Sequence, residues 1–102
     1  MSYESPFTAY DQLSPSVKDG MIDVIKTIID EENLQQINSS EFGNRILHLD
    51  SSKDFKRHCG THSRQCFGIL LRDYLAGQPN WSDPKTVDIK GQERKIYSRD
   101  SG

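Results

Sequence analysis

His58, Cys59, His62 and Cys66 fall within nine residues, and His48 lies ten residues before His58. Imidazole and thiolate are the side chains that hold zinc. The spacings of three and four between Cys59, His62 and Cys66 could bring the three together. That spacing is not the one used by a zinc finger or knuckle, and it leaves the fourth ligand unassigned. The same residues offer a nucleophile: Cys59 or Cys66 beside His62 would need a third group to orient the imidazole, and no cysteine-nucleophile signature surrounds them. The plainer expectation is a pair of small apolar thiols facing the core, with His58 and His62 at the surface, because free cysteine is among the most buried residue types. A bridge between the two thiols would close a very short loop, so they are expected to be reduced.

Other chemistry is thin. The acids Asp30, Glu31 and Glu32 do not follow a metal-loop pattern. Gly20, Gly43, Gly60, Gly68, Gly77 and Gly91 are isolated from one another, so no glycine loop cradles a phosphate. Gly68 lies in a helical pattern and is expected to mark close helix packing. No cofactor is implied, and the expectation is a protein without catalytic activity.

The elements that would position these residues can be read from periodicity. Residues 1–14 are expected to form an arm that packs through Phe7, Tyr10 or Leu13, residues 15–97 a single globular domain, and residues 98–102 a frayed tail. Ser14 as N-cap and Pro15 at the first position start a helix. Val17, Met21, Val24, Ile25 and Ile28 give it one apolar face, widened by Ile22 and Ile29. It is expected to fray near Asn33, with a further turn from Leu34 to Ile37. Residues 39–44 read as a loop. Arg45 to Leu49 alternate in a way that suits a short strand. Ser52 then caps a helix holding Phe55 and Cys59, which Gly60 breaks. Thr61 caps the next, whose stripe is Phe67, Leu70, Leu71, Tyr74 and Leu75. Gly77 should end it as a left-handed cap. Trp81 should pin the loop that follows. The last segment reads as a hairpin with Gly91-Gln92 at its turn. That register sets Lys90 opposite Glu93, Asp88 opposite Lys95 and Val87 opposite Ile96. The expected fold is α+β and mainly α: three helices, a short strand and a C-terminal β-hairpin.

Composition narrows the class. The chain has 102 residues, 33% hydrophobic and 27% charged, which suits one domain with a lean core. No run approaches the roughly 18–20 apolar residues of a membrane span. The start Met1-Ser2-Tyr3-Glu4 lacks the basic and apolar stretches of a secretory signal. The expected location is therefore the cytoplasm, with no membrane partner. The net charge of −2 is unevenly spread. Residues 1–44 hold eight acids and two bases, and residues 45–102 hold eleven bases and seven acids. Such a split can mark two faces with different partners.

The order helix, short strand, helix, tight turn, helix, hairpin resembles the winged helix-turn-helix arrangement over residues 15–97. The closest local match is Ser52 to Leu70, with Gly60 at the turn. Lys56 departs from the pattern by standing where a small residue is usual. The resemblance implies that the helix opening Thr61-His62-Ser63-Arg64-Gln65 enters the major groove of duplex DNA. Arg64 would suit guanine and Gln65 adenine, with Thr61 and His62 beside them. Lys53, Lys56 and Arg57 would position the domain on phosphates, and Lys90, Arg94 and Lys95 would act from the wing. A homodimer is open, because such readers often pair. The leading expectation is thus a regulatory DNA-binding protein. The alternative is a protein-binding accessory or inhibitor of the phage or mobile-element type, which would present Asp19, Asp23, Asp30, Glu31 and Glu32 to a basic partner. The zinc site of Cys59, His62 and Cys66 would make a third.

Overall fold

A computed structural model describes residues 5–100. The expectations placed on Met1 to Glu4, Ser101 and Gly102 lie outside the described residues. The elements are α1 (Pro6–Asp11), α2 (Pro15–Glu32), β1 (Gln36–Asn38), α3 (Ser39–Leu47), α4 (Lys53–Cys59), α5 (Ser63–Ala76), β2 (Lys85–Ile89) and β3 (Gln92–Ser98). The fold is α+β and mainly helical, with one small antiparallel sheet in the order β1-β3-β2.

The amphipathic patterns become the core. From α2, Met21, Ile25 and Ile29 are buried; from α5, Cys66, Phe67, Leu70, Leu71 and Leu75 are. Phe55 and Cys59 of α4 join them, and Trp81 packs against the cluster from its loop. α5 is the hub, packed by α1, α2, α3 and α4. The N-terminal segment contributes more than an arm would. Ser5 caps α1 by accepting from the Thr8 amide, and Ala9 and Leu13 are buried. Tyr10 packs partly, whereas Phe7 is 69% exposed.

Ser14 and Pro15 start α2 as their types indicate: the Ser14 hydroxyl accepts from the Val17 amide at 3.3 Å. Its far end does not fray. Asn33 takes a left-handed φ of 50°, and the Leu34 amide donates back to the Ile29 carbonyl at 3.1 Å. That is the six-to-one closure that ends many helices, with asparagine tolerating the left-handed position. No further turn follows. Gln36–Asn38 extend and pair with β3.

Residues 39–47 correct the sequence reading most. The expected loop at 39–44 and the expected strand at Arg45 to Leu49 together form α3 and its exit. Asn38 caps this helix, its side-chain oxygen accepting from the amides of Ser40 and Glu41. Glu41 at the third position is the acid such a cap prefers. Phe42, Ile46 and Leu47 are the buried side. The polar run Ser39-Ser40-Glu41 is thus a helix start, and the apparent alternation after it is part of a helical stripe.

Ser52 also differs. Its hydroxyl is buried and donates to the Ile46 carbonyl at 2.6 Å, tying the end of α3 to the start of α4, and it makes no cap bond. Gly60 does break the chain, at φ 57°. Gly60–His62 form a single 3₁₀ turn, so α5 starts at Ser63, with Thr61 not its cap. Gly77 has φ −86° and closes α5 by donating to the Tyr74 carbonyl, without a left-handed cap.

The hairpin forms with a different register. Its turn is Lys90-Gly91, both at positive φ (53° and 79°), and Ile89 pairs with Gln92. This is the type I′ turn, whose twist matches that of the strands. The shift keeps every side chain on its expected face but changes its opposite number. Val87 faces Arg94, Thr86 faces Lys95, and Asp88 faces Glu93. The two expected ion pairs are therefore absent, and like charges stand opposite at Asp88 and Glu93. Residues 98–100, expected to fray, are tied down: the Arg99 amide donates to Gln35 O at 2.8 Å and the Ser82 amide to Ser98 O at 2.9 Å.

Two glycines in helices stand in opposite surroundings. A Cβ on Gly43 would lie 3.2 Å from the buried Phe67 ring, whereas one on Gly68 would meet nothing within 4 Å. Close packing therefore belongs to Gly43 and not to Gly68. Gly68→Ala should stabilise the fold by about 0.5–1 kcal/mol through helix propensity alone. Gly43→Val should destabilise it by about 1–3 kcal/mol through overpacking. Urea unfolding of both variants measures the contrast, and equal effects would contradict the packing described.

A candidate nucleic-acid interface on helix 5

The outer side of α5 follows from the same periodicity that buries its inner side. With Cys66, Phe67, Leu70 and Leu71 inward, Arg64, Gln65 and Arg72 face solvent. Arg64, Gly68 and Arg72 repeat every four residues and so form one ridge of the helix, with no acid in that row. Asp73, the neighbouring acid, is directed elsewhere and accepts the Tyr10 hydroxyl at 2.7 Å. Burial and this bond together push the Tyr10 phenol well above its ordinary range. Lys18 caps the arrangement, its ammonium 4.5 Å from the Tyr10 ring centre. The Tyr97 phenol of β3 is raised mainly by burial, and Arg72 and Asp73 both lie close enough to act on it, Arg72 lowering it and Asp73 raising it.

The other sequence-based candidates are spread around this ridge. Thr61 is exposed and His62 half-buried in the 3₁₀ turn that leads into α5, directly before Arg64 and Gln65. Lys53, Lys56 and Arg57 are exposed on α4, and Arg57 lies 3.7 Å from Asp54 of its own helix. Lys90 sits in the hairpin turn. Arg94 and Lys95 are neighbours on β3 and point to opposite faces of the sheet. Arg94 shares the face of Val87 and Ile89 and donates to the Gln92 side chain, while Lys95 shares the face of Tyr97. The wing bases therefore do not form one patch. Two cations escaped the sequence reading. Arg72 was detectable, being two turns of helix beyond Arg64 on the same ridge. Lys85 becomes a hairpin residue only in the observed register.

The acidic set behaves as one face with an exception. Asp19, Asp23, Asp30 and Glu31 are exposed along α2. Glu32 is taken by Arg45, which grips it with its two terminal guanidinium nitrogens. That contact holds the Glu32 carboxyl below the usual carboxylate range.

The cysteine and histidine cluster does not assemble as a metal site. Among the described residues no three His, Cys, Asp or Glu side chains converge. Cys59 and Cys66 are both buried, because each lies on the apolar side of its helix. The Cys66 thiol donates to the Pro6 carbonyl at 3.4 Å. His58 Nε2 lies 2.8 Å from the Ala9 carbonyl, so this ring joins α4 to α1. Burial pushes both thiols up, Cys59 strongly and with further help from Cys66 beside it. Neutral, buried thiols are poor nucleophiles and poor ligands.

Comparison with protein-family models, with curated proteins and with solved structures finds no match to this chain. No helix among the described residues is long and apolar enough to cross a membrane.

The buried thiols make stability depend on pH in a definite direction. The ordinary cysteine value is 9.0, and the folded value lies above it. The folded state therefore holds the protons longer. The thiol contribution is fully present below pH 9 and is lost as pH rises beyond it, by up to about 1.4 kcal/mol per pH unit for each thiol. Replacing both cysteines with alanine should flatten the decline in urea midpoint between pH 9 and 10. An unchanged slope would show that the thiols do not carry it.

Proposed function

We propose that the protein is a small, non-catalytic regulatory protein of the cytoplasm that binds duplex DNA in the manner of a winged helix. The observation that carries this reading is the exposed ridge of α5. Arg64 and Arg72 flank a glycine that lets a surface approach the helix, Gln65 lies beside them, and no acid interrupts the row. The chain order supports it as well. A strand between α2 and α3, a terminal hairpin and the sheet order β1-β3-β2 are what a winged helix requires. In this reading the paired helices are α3 and α5, in place of the Ser52 to Leu70 segment with its turn at Gly60; α4 fills the connection between them, and β2 with β3 is the wing. Arg64 suits guanine and Gln65 adenine in the major groove, while Lys56, Arg57 and Arg72 neutralise phosphates.

The test is binding of a mixed-sequence duplex at several salt concentrations. Affinity should fall steeply with salt. Lys56→Ala and Arg72→Ala should each lower the salt slope by about one while weakening all sequences alike. Arg64→Ala should cost about 1–3 kcal/mol and relax sequence preference. A folded sample that binds no duplex at low salt sinks the reading.

The exposed row of Asp19, Asp23 and Asp30 on α2 favours a second reading, a protein-binding accessory or inhibitor that docks a basic partner there. A specific partner recovered despite nuclease, and lost when these acids are neutralised, would favour it.

A further inference from the structure

β2 pairs with β3 along one edge, and no strand among the described residues pairs with the other. All five of its residues are exposed, including Val87 at 40% and Ile89 at 41%. In a hairpin closed by two residues, the pair flanking the turn exchanges both main-chain bonds, and bonding then alternates. Ile89, Val87 and Lys85 therefore direct their N–H and C=O groups to β3. Thr86 and Asp88 direct theirs outward, to the open edge.

We propose that this edge pairs with β2 of a second copy, antiparallel about a two-fold axis at Val87, to give one continuous sheet across the dimer. The choice of occupant follows from symmetry. A two-fold axis through an antiparallel pair must set some residue opposite itself. Centring on Thr86 would bring Asp88 opposite the partner's Pro84, which has no N–H to give. Centring on Asp88 would set two carboxylates face to face. Centring on Val87 sets Thr86 opposite the partner's Asp88 twice, and so satisfies every outward group. The Thr86 hydroxyl then faces the partner's Asp88 carboxylate. Asp88 gains a hydroxyl donor directly opposite it, whereas the residue directly opposite it in its own hairpin is Glu93. On the other face, Val87 meets the partner's Val87, and the Lys85 stem lies between Ile96 and the partner's Ile89. That strip is apolar at its centre and carries its cations at the margins. Single-strand pairing buries far less than the roughly 1,600 Å² of a standard interface, so the dimer is a weak one. It does not depend on the DNA reading.

The full chain carrying Val87→Cys tests it. Residues opposite each other on the axis form a non-hydrogen-bonded pair with Cα atoms about 4.5 Å apart, within the range a disulfide spans. In a glutathione disulfide buffer Val87→Cys should form a covalent dimer at least about tenfold faster than Ile89→Cys, whose opposite number is Lys85. Adding Thr86→Pro, which removes an outward N–H at an edge position that tolerates proline, should abolish the gain. Sedimentation of the unaltered chain should show dimer growing between about 10 µM and 1 mM. A monomer throughout that range, equal cross-linking of the two cysteine variants, or cross-linking indifferent to Thr86→Pro would overturn the proposal.

Discussion

The Phe67 ring rests against the bare Cα of Gly43, and most of the architecture follows from that approach. A Cβ at Gly43 would stand 3.2 Å from the ring. With a Cβ there, the ring or the helix would have to give by a few tenths of an ångström, so the glycine lets α3 lie close on α5. Phe42 then reaches the same ring, with centroids 6.1 Å apart and the planes tilted by 54°. With α3 held there, Ile46 enters the core, and its carbonyl takes the buried Ser52 hydroxyl. That bond turns the chain into α4. α4 in turn delivers Phe55 and Cys59 to the inner side of α5. Since α5 must present Cys66, Phe67, Leu70, Leu71 and Leu75 inward, Arg64 and Arg72 are left on its exposed side, with Gly68 half-buried between them. The proposed interface is thus a by-product of packing: its orientation is imposed from behind.

The long periodic segments were legible in the sequence, and the short ones were not. α2 and α5 announce themselves because several apolar residues repeat at helical spacing over many turns. α3 does not. Nine residues beginning with Ser39-Ser40-Glu41 carry only three buried side chains, and two of those, Ile46 and Leu47, are adjacent. What identifies it is the Asn38 cap with Glu41 in the first turn, a signal that is polar and local. β1 is missed for a related reason. Three residues with one buried, Ile37, have no period to detect, and their strand conformation is set by pairing with β3. The hairpin was legible as a hairpin but not in register. Charge matching favoured one register, and backbone twist at Lys90-Gly91 favoured the one observed. Exposed ion pairs contribute little, so turn geometry decides.

The candidate site shows the same division. Arg64 and Gln65 could be placed on an exposed helix start from sequence alone, although the helix begins two residues later than Thr61. Arg72 needed the burial pattern of the whole of α5. The cysteine cluster is the converse case. Its spacing suggests convergence, but the core claims both thiols, and His58 is occupied with the Ala9 carbonyl. Spacing along the chain specified a face, and packing decided that the face was an inner one.

The central claim is that the outer ridge of α5 is a binding surface for duplex DNA. Amide chemical-shift mapping of the labelled protein titrated with a short duplex tests it most directly. The account predicts shifts concentrated at Arg64, Gln65, Gly68 and Arg72, with further changes on α4 and the hairpin and little along α2. Shifts gathered on Asp19, Asp23 and Asp30, or none at any ratio of duplex to protein, would contradict it.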